Sequence, residues 1–212
     1  MIKIIITDDH PMMRAGLVQT INREVDMKVA AECESGEELL SKLNEKDFDV
    51  AVLDIDLPGR NGIEILKDIK KLQPELPVLI LSAYQEQRYG LRAIQAGANA
   101  YLSKEVNKSI LLDTIRKIKG NKKYITPELA EILADGLDKN SGKPLNEKLS
   151  DRELDVLKHI ALGKSVSEIA ELLSLSVNTI NTYRARLLEK TGMKNNAQLA
   201  LYALENNIIG KF

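Results

Sequence analysis

The sequence predicts an α/β domain with a doubly wound, five-stranded parallel sheet, followed by a small all-α domain of four helices. Short β-branched apolar runs alternate with segments of helical spacing through the first 120 residues. A polar stretch at 138–148 contains one Leu in eleven residues and has the composition of a linker. Beyond it, helix-capping signals occur without a strand pattern. We therefore expect two domains joined by a linker.

Five short runs form the predicted sheet. Three of them, 4–6, 50–53 and 78–81, are continuously apolar, which is typical of central strands in a parallel sheet that is covered on both faces. The alternation with helices implies right-handed crossovers between parallel strands. The predicted strands are 2–7, 28–31, 50–53, 78–81 and 100–102.

The linker composition sets the expected domain limits. Residues 1–120 form the α/β domain, 121–145 an extra helix and the linker, and 146–212 the helical domain. Thr126-Pro127 starts the extra helix, because proline is favoured at the first helical position, and the helix is expected over 127 to about 136.

The helical domain is predicted from its capping residues. Its second and third helices, about 166–173 and 177–191, are joined by only three residues, which is the spacing of a helix-turn-helix. The capping signals are Ser150-Asp-Arg-Glu153, Ser165-Val-Ser-Glu168, Ser176 and Gly192 around the third helix, and Asn195 or Asn196 before the fourth.

The composition excludes several classes of protein. With 30 Lys and Arg against 31 Asp and Glu, the chain is not a bulk polycation that coats nucleic acid or anionic lipid. A hydrophobic share of 44% is too high for a disordered chain. Apolar runs reach only about six residues, so no membrane span is expected. Cys33 is the only cysteine, which excludes an internal disulfide framework and fits a reducing, cytoplasmic compartment.

Charged and hydroxyl side chains follow four of the predicted strands. Asp8 and Asp9 end the first strand, Asp54 the third and Ser82 the fourth, and Lys104 follows the fifth. Ligands of open α/β sheets bind beyond the carboxyl ends of the strands, so we expect these side chains to share one site. A single Asp at a strand end is as readily explained as a turn former, but that explanation does not account for the whole set.

Three carboxylates in one crevice repel each other unless their pKa values rise or a cation neutralises them. Oxygen ligands, with no His or Cys expected nearby, favour Mg²⁺, which accepts phosphate oxygens as further ligands. Lys104 supplies a point charge suited to a phosphoryl group, and Ser82 a hydroxyl donor. A carboxylate in this setting can become an acyl phosphate. Gly59 and Gly62 are predicted as turn residues rather than a phosphate cradle.

Residues 1–120 resemble the receiver domain of bacterial two-component response regulators. The resemblance implies the strand order 2-1-3-4-5 and phosphorylation of Asp54 by a sensor histidine kinase or a small phosphodonor. It also implies that Mg²⁺ is held by Asp8, Asp9, Asp54 and the backbone carbonyl of Asp56.

The resemblance assigns three further roles. Ser82 and Lys104 would contact the phosphoryl group, and Tyr101 would be the aromatic switch that turns inward when Ser82 moves. A half-buried aromatic on an edge strand is the alternative for Tyr101. Receivers usually have a cis proline after the lysine, whereas this chain has Glu105, so a trans bond and a differently set loop are expected there.

The third helix of the second domain has two distinct faces. Over 178–194, four cations and one anion give a net charge of +3, although a solvated, salt-bridged face is the simpler explanation for an isolated helix. The expected buried stripe is Val177, Ile180, Tyr183, Leu187 and Thr191. The residues predicted to contact DNA are Thr179, Asn181, Thr182, Arg184, Ala185, Arg186 and Lys190.

Residues 146–210 resemble the LuxR-type module of the NarL/FixJ family. The resemblance implies base contacts from Asn181, Thr182 and Ala185, and a dimer on inverted half-sites of promoter DNA. The usual His is replaced by Tyr183 and a usual Leu by Thr191, so the base preference does not carry over. The motifs are Leu149-Ser-Asp-Arg-Glu-Leu154-Asp-Val-Leu157, Gly163-Lys-Ser-Val-Ser-Glu-Ile-Ala170 and Leu175-Ser-Val-Asn-Thr-Ile-Asn-Thr-Tyr-Arg-Ala-Arg-Leu-Leu-Glu-Lys190.

Together these features predict a cytoplasmic, phosphorylation-switched transcription factor that is neither an enzyme nor a membrane binder. One alternative is a phosphohydrolase of the haloacid dehalogenase type, because Asp54-Ile-Asp56 is similar to its nucleophile motif, with Asp56 as general acid. The Asp8-Asp9 doublet on a separate strand, and a domain too short for a cap, argue against it. The other alternative is a constitutive DNA-binding protein with an inert receiver-like half.

Overall fold

The computed structural model of the chain describes residues 1–84, 86–137, 149–206 and 208–209. The chain divides into two compact units, Met1–Ala134 and Asp135–Phe212. Within the described residues, no helix combines the length and the apolar character that a membrane crossing requires.

The first unit contains the predicted five-stranded parallel sheet, with the order β2-β1-β3-β4-β5. Thr7 pairs with Leu53, and Ser82 with Ser103, so the strands end in register at one edge. The strands are β1 (Ile2–Thr7), β2 (Met27–Cys33), β3 (Val50–Leu53), β4 (Val78–Ser82) and β5 (Ala100–Ser103). Both the fold class and the strand order are as predicted.

Helices connect the strands and cover the sheet. The side chains of β3 and β4 are buried throughout, as their continuous apolar runs predict. Each fully buried Ile or Leu contributes roughly 1.5–3 kcal/mol, so this aliphatic core holds the strand ends in place. The helices are α1 (Pro11–Asn22), α2 (Gly36–Glu45), α3 (Gly62–Leu72), α4 (Glu86–Gln95), α5 (Lys108–Ile118) and α6 (Pro127–Leu137).

A hydrogen-bonded network closes the amino end of the sheet. Asn99 is buried; its amide oxygen accepts the Val78 N–H at 3.1 Å and its amide nitrogen donates to Asn121 at 2.8 Å. The Lys70 ammonium lies 2.7 Å from the Leu76 carbonyl oxygen and 3.3 Å from the Asn99 amide oxygen. Burial lowers the pKa of Lys70. Neutral oxygens therefore contact this cation directly, and the nearby Glu75 carboxylate favours its charge.

The start of α6 packs against α4. The Thr126 hydroxyl caps α6 by accepting the Leu129 N–H at 3.1 Å, and it also hydrogen-bonds the Glu86 carboxylate. Leu129 is fully buried, and a Cβ added at Gly90 would lie 2.7 Å from its Cδ1 atom. The extra helix predicted from 127 is therefore present, and its first turns belong to the first unit. The stretch 138–148, predicted as a linker, lies outside the described residues.

The second unit has the four predicted helices. Both predicted capping boxes are formed, at Ser150 and at Ser165. Asn195 rather than Asn196 caps the last helix. The helices are α7 (Asp151–Ala161), α8 (Val166–Leu172), α9 (Val177–Thr191) and α10 (Asn196–Glu205).

A buried carboxylate joins α7 to α9. Glu153 accepts the Ser150 N–H at 2.7 Å and lies 2.6 Å from the Lys190 ammonium. Burial alone would raise the pKa of Glu153, but the hydrogen bonds from Lys190 and Ser150 outweigh burial and lower it. A lowered folded-state pKa means that ionised Glu153 stabilises the folded unit above the unfolded pKa of about 4.3.

We expect Glu153→Gln to destabilise the second unit by about 1–2 kcal/mol at pH 7, since it removes a charge-assisted hydrogen bond to Lys190. Glutamine also serves in a capping box, so the change isolates the ion pair. Calorimetry of the full chain at pH 7 and in acid measures the effect, which should vanish as the pH falls through the folded-state pKa of Glu153.

Glu168→Gln is the matched control, because Glu168 occupies the same capping position in α8 and is exposed. It should hardly change the transition. An equal loss in both variants would assign the effect to the cap rather than to the ion pair.

Candidate functional site

Three charged side chains meet at the carboxyl edge of the sheet. Asp8 follows β1, Asp54 follows β3, and Lys104 follows β5. The Lys104 ammonium lies 2.8 Å from Asp8 Oδ2 and 2.7 Å from Asp54 Oδ2. Asp8 is 1% and Asp54 2% exposed, so this ion triad is almost removed from water. The structure therefore brings together side chains that the sequence separates by up to 96 positions.

Asp9 and His10 complete an acidic pocket. The His10 Nδ1 atom lies 2.7 Å from Asp9 Oδ1 and 3.4 Å from Asp8 Oδ1. One ligand atom from each of Asp8, Asp9, His10 and Asp54 falls within 4.8 Å of all the others. Carboxylate oxygens in a confined pocket fit Mg²⁺. The expectation that no His lies near these ligands is therefore wrong, because His10 follows Asp9 directly and its ring nitrogen reaches both carboxylates.

The loop after β3 places Asp56 beside this pocket. The Asp56 N–H donates to Asp54 Oδ1 at 3.3 Å, and the Asp56 side chain is half-buried. The Lys104–Glu105 peptide bond is trans, as expected, because the described residues contain no cis peptide bond.

The pocket carries an excess of negative charge. Burial raises the pKa of Asp54 to about 6, although the neighbouring Lys104 acts in the opposite direction. Burial would lower the pKa of Lys104, but its hydrogen bonds to Asp54 and Asp8 outweigh burial and raise that pKa. Both groups thus hold protons more strongly than in water, Asp54 chiefly because burial disfavours its charge and Lys104 because two carboxylates contact it.

Ser82 and Tyr101 lie on neighbouring strands at the same edge. The Ser82 hydroxyl accepts the Tyr84 N–H at 3.2 Å, and the Ser82 carbonyl accepts the Lys104 N–H at 2.7 Å. Tyr101 is fully buried, and its hydroxyl donates to the Tyr84 carbonyl at 2.8 Å. The half-buried alternative for Tyr101 is therefore wrong. Ser82 of β4 and Tyr101 of β5 therefore both bind Tyr84 in the connection between β4 and α4.

Gly62 allows the loop after β3 to fold back on Asp54. The Gly62 N–H donates to the Ile55 carbonyl at 2.8 Å, and Asn61 caps α3 through the Ile63 N–H. A Cβ at Gly62 would lie 2.1 Å from the backbone oxygen of Asp54. Gly62 is therefore needed because two backbone segments approach each other closely there. This gives a physical reason for its prediction as a turn residue.

Arg14 of α1 also reaches the pocket, although no sequence pattern indicated it. Its side chain is buried, and Nη1 donates to the backbone oxygen of Asp8 at 2.6 Å. Its Nη2 atom donates to Glu34 at 2.6 Å, and Nε lies 3.4 Å from Glu32. A basic residue on an amphipathic helix ordinarily points to solvent, so only the folded chain reveals this contact.

The second candidate site is the surface of α9. The turn between α8 and α9 contains Ser174 in a left-handed conformation, and Ser176 caps α9 by accepting the Thr179 N–H at 3.1 Å. Gly192 ends the helix, as predicted, with φ of 71°. The two helices thus have the predicted helix-turn-helix spacing.

The buried stripe of α9 is shorter than predicted. Ile180, Leu187 and Thr191 are buried, and Tyr183 is half-buried. Val177 is 45% exposed, so its prediction as a buried residue is wrong. It stands at the first helical position, where a helix end has fewer neighbours than the middle, whereas Ile180 one turn later is covered.

The polar face of α9 contains exposed residues and residues whose side chains already bind others in the unit. Asn181, Thr182, Ala185 and Arg186 are exposed, although the Thr182 hydroxyl donates to the Asn178 carbonyl at 3.0 Å. Arg184 donates from Nε to the Asn196 side-chain oxygen at 2.6 Å.

Two other predicted DNA contacts also have partners within the unit. Thr179 is bound at the cap of α9 by Ser176, and Lys190 is paired with buried Glu153. Part of the +3 charge of 178–194 is therefore neutralised within the unit.

Both candidate sites lie in regions of the chain that match known families. Residues 4–116 match the family described as "Response regulator receiver domain". Residues 147–203 match "Bacterial regulatory proteins, luxR family". The acidic pocket lies in the first match, and α8 and α9 lie in the second.

Relatives match along nearly the whole chain. Response regulator GacA of Pseudomonas aeruginosa is 30% identical over 99% of this chain and 98% of its own length. Response regulator protein VraR of Staphylococcus aureus is 30% identical over 98% of this chain and 99% of its own. A solved RcsB–DNA complex is 26% identical, with a TM-score of 0.59, over 95% of this chain and 96% of that one. The chain therefore belongs to the NarL/FixJ family of response regulators, which join a receiver domain to a LuxR-type DNA-binding domain.

Proposed function

We propose that Asp54 accepts a phosphoryl group from a sensor histidine kinase, and that this modification switches dimerisation and promoter binding. The observation that carries the proposal is the buried ion triad, in which Lys104 lies within 2.8 Å of both Asp8 and Asp54. Such a site combines a carboxylate nucleophile with a cation placed to bind phosphoryl oxygens.

The proposed chemistry is a phosphoryl transfer. An Asp54 carboxylate oxygen attacks phosphorus, the bond from phosphorus to the donor breaks, and an acyl phosphate forms. Lys104 then bonds a phosphoryl oxygen, and the Ser82 hydroxyl donates to another. Asp8, Asp9, Asp54 and the Asp56 carbonyl would hold Mg²⁺, which neutralises phosphoryl charge when bound.

The proposed switch arises from the new charge. The phosphoryl group carries roughly −1.5 to −2 charges at pH 7 and replaces the single charge of the Asp54 carboxylate. Ser82 has a hydroxyl that now accepts the Tyr84 N–H. Drawing that hydroxyl to the phosphoryl group changes the β4–α4 connection, which Tyr101 holds from the other side. We take 1–120 as the receiver, 121–145 as the extra helix and linker, and 146–212 as the DNA-binding domain.

The proposed partner of the second domain is double-stranded promoter DNA, bound by a homodimer in the cytoplasm. Asn181, Thr182 and Ala185 would face bases, while Arg186 would bind phosphate. Thr179, Arg184 and Lys190 complete the proposed set, with Arg184 and Lys190 acting from positions that Asn196 and Glu153 fix.

We expect Arg186→Gln to weaken DNA binding to a similar degree on every sequence and to lower the salt slope by about one per bound subunit. Fluorescence anisotropy over a salt series measures that slope. Lys71→Gln removes the same charge from α3 of the receiver and should leave the slope unchanged. A sequence-dependent loss would instead assign Arg186 to base recognition.

A mobility-shift assay on genomic fragments, with and without acetyl phosphate, tests the function as a whole. Tighter binding with the phosphodonor, lost in Asp54→Asn, is expected. Binding that ignores the phosphodonor would favour a constitutive DNA-binding protein. Sustained turnover of a phosphomonoester would favour a phosphohydrolase, whereas one stable phosphoryl group per chain supports a switch that is not an enzyme.

A further inference from the structure

Arg14 holds a backbone atom of the acidic pocket rather than a side chain. Its Nη1 atom donates to the Asp8 carbonyl at 2.6 Å, and the Arg14 side chain is only 10% exposed. The planar guanidinium offers several donors in fixed directions, which a lysine does not. Glu34 and Glu32 of the β2 end orient the other edge of the guanidinium.

The Asp8 carbonyl matters because it belongs to the peptide group that joins Asp8 to Asp9. A peptide group is planar, so fixing the direction of this carbonyl also fixes the plane that leads into Asp9. The rest of Asp8 is already held, since its N–H donates to the Cys33 carbonyl and its carboxylate accepts from the His10 N–H and Lys104. Arg14 supplies the remaining constraint on the Asp8–Asp9 peptide.

We propose that Arg14 is a positioning residue for the Mg²⁺ site, acting through the Asp8 carbonyl to aim the Asp8 and Asp9 carboxylates at one ion. The proposal rests on the proposed function, since it concerns the ion held by Asp8, Asp9 and Asp54. Outer residues that orient metal ligands typically change metal affinity by roughly 10–100-fold.

Charge and position predict effects of opposite sign. If Arg14 acted only as a nearby cation, it would repel Mg²⁺, and replacing it by a neutral residue would tighten binding. If it positions the Asp8–Asp9 peptide, the same replacement weakens binding. Its two glutamate partners more than offset its single positive charge, so the positional effect should dominate.

The test is a calorimetric Mg²⁺ titration of the full chain and its Arg14→Gln and Arg14→Lys variants. We expect Arg14→Gln to raise the Kd for Mg²⁺ by roughly 10-fold or more. Arg14→Lys keeps the positive charge but loses the several fixed N–H directions of the guanidinium, and it should also raise the Kd for Mg²⁺. Labelling by acetyl phosphate should recover at saturating Mg²⁺, because the defect lies in metal binding and not in transfer.

Arg116→Gln is the matched control, because Arg116 also joins several acidic residues, Glu24, Asp26 and Asp113, on the receiver surface. Its Kd should equal that of the unsubstituted chain. Should Arg14→Gln fail to fold by circular dichroism, Arg14→Lys decides the question.

The outcomes separate the two claims. An unchanged or lower Kd in the Arg14 variants would overturn the positioning role and leave Arg14 as a tie between α1 and β2. Absence of Mg²⁺ binding by the unsubstituted chain would overturn the metal site of the proposed function, and this inference with it.

Discussion

Asp54→Asn should accept a phosphoryl group from acetyl phosphate at least about a thousandfold more slowly than the unsubstituted chain. Losses of this size follow when an enzyme loses its covalent nucleophile. Asparagine has nearly the same shape, but its amide oxygen is a poor nucleophile and carries no charge. The reaction is followed by phosphate-sensitive gel electrophoresis or intact mass in the presence of Mg²⁺.

Asp47→Asn is the control for this variant, because Asp47 is an exposed receiver aspartate outside the acidic pocket. It should be labelled at the unsubstituted rate. Labelling of Asp54→Asn at a comparable rate would show that another side chain accepts the phosphoryl group, and the assignment of Asp54 would fall.

Gly62→Ala should destabilise the receiver by about 3 kcal/mol or more, near the upper end of overpacking effects. The added Cβ would lie 2.1 Å from the Asp54 carbonyl oxygen and 2.7 Å from the Ile55 Cα. Both neighbours are backbone atoms of the loop that carries Asp54, so no side chain can rotate to make room. Urea unfolding of the full chain, followed by circular dichroism, measures the loss.

Gly16→Ala provides the matched control, because Gly16 lies within α1 and a Cβ there meets nothing within 4 Å. Alanine is the better helix former, so this variant should gain about 0.5–1 kcal/mol. A Gly62→Ala variant as stable as the unsubstituted chain would mean that the loop after β3 is free to move away from α3.

The meeting of Asp8, Asp54 and Lys104 is predictable from sequence for a simple reason. Parallel strands end at a common edge, and each of these residues comes directly after a strand. The helix ends in the second unit are predictable for a related reason, since a cap such as Ser165 needs only the residues next to it.

Contacts between distant segments are not accessible in this way. Arg14 lies 20 positions from Glu34, and Lys190 lies 37 from Glu153, so neither pair leaves a local signal. Local patterns predicted Lys190 as a DNA contact and did not reveal that it already has a partner. Val177 shows the same limit, because spacing along a helix does not reveal whether neighbouring segments extend far enough to cover the end of that helix.

Lys70 and Lys104 lie at opposite ends of the sheet, and comparing them shows that unfavourable charge interactions are concentrated at one end. Lys70 donates to neutral oxygens, and the nearby Glu75 carboxylate favours its charge. Lys104 faces the buried carboxylates Asp8 and Asp54, with Asp9 beside them. The amino edge of the sheet is thus held by hydrogen bonds that satisfy its polar groups. At the other edge buried like charges oppose each other, and a cation bound there would relieve that repulsion.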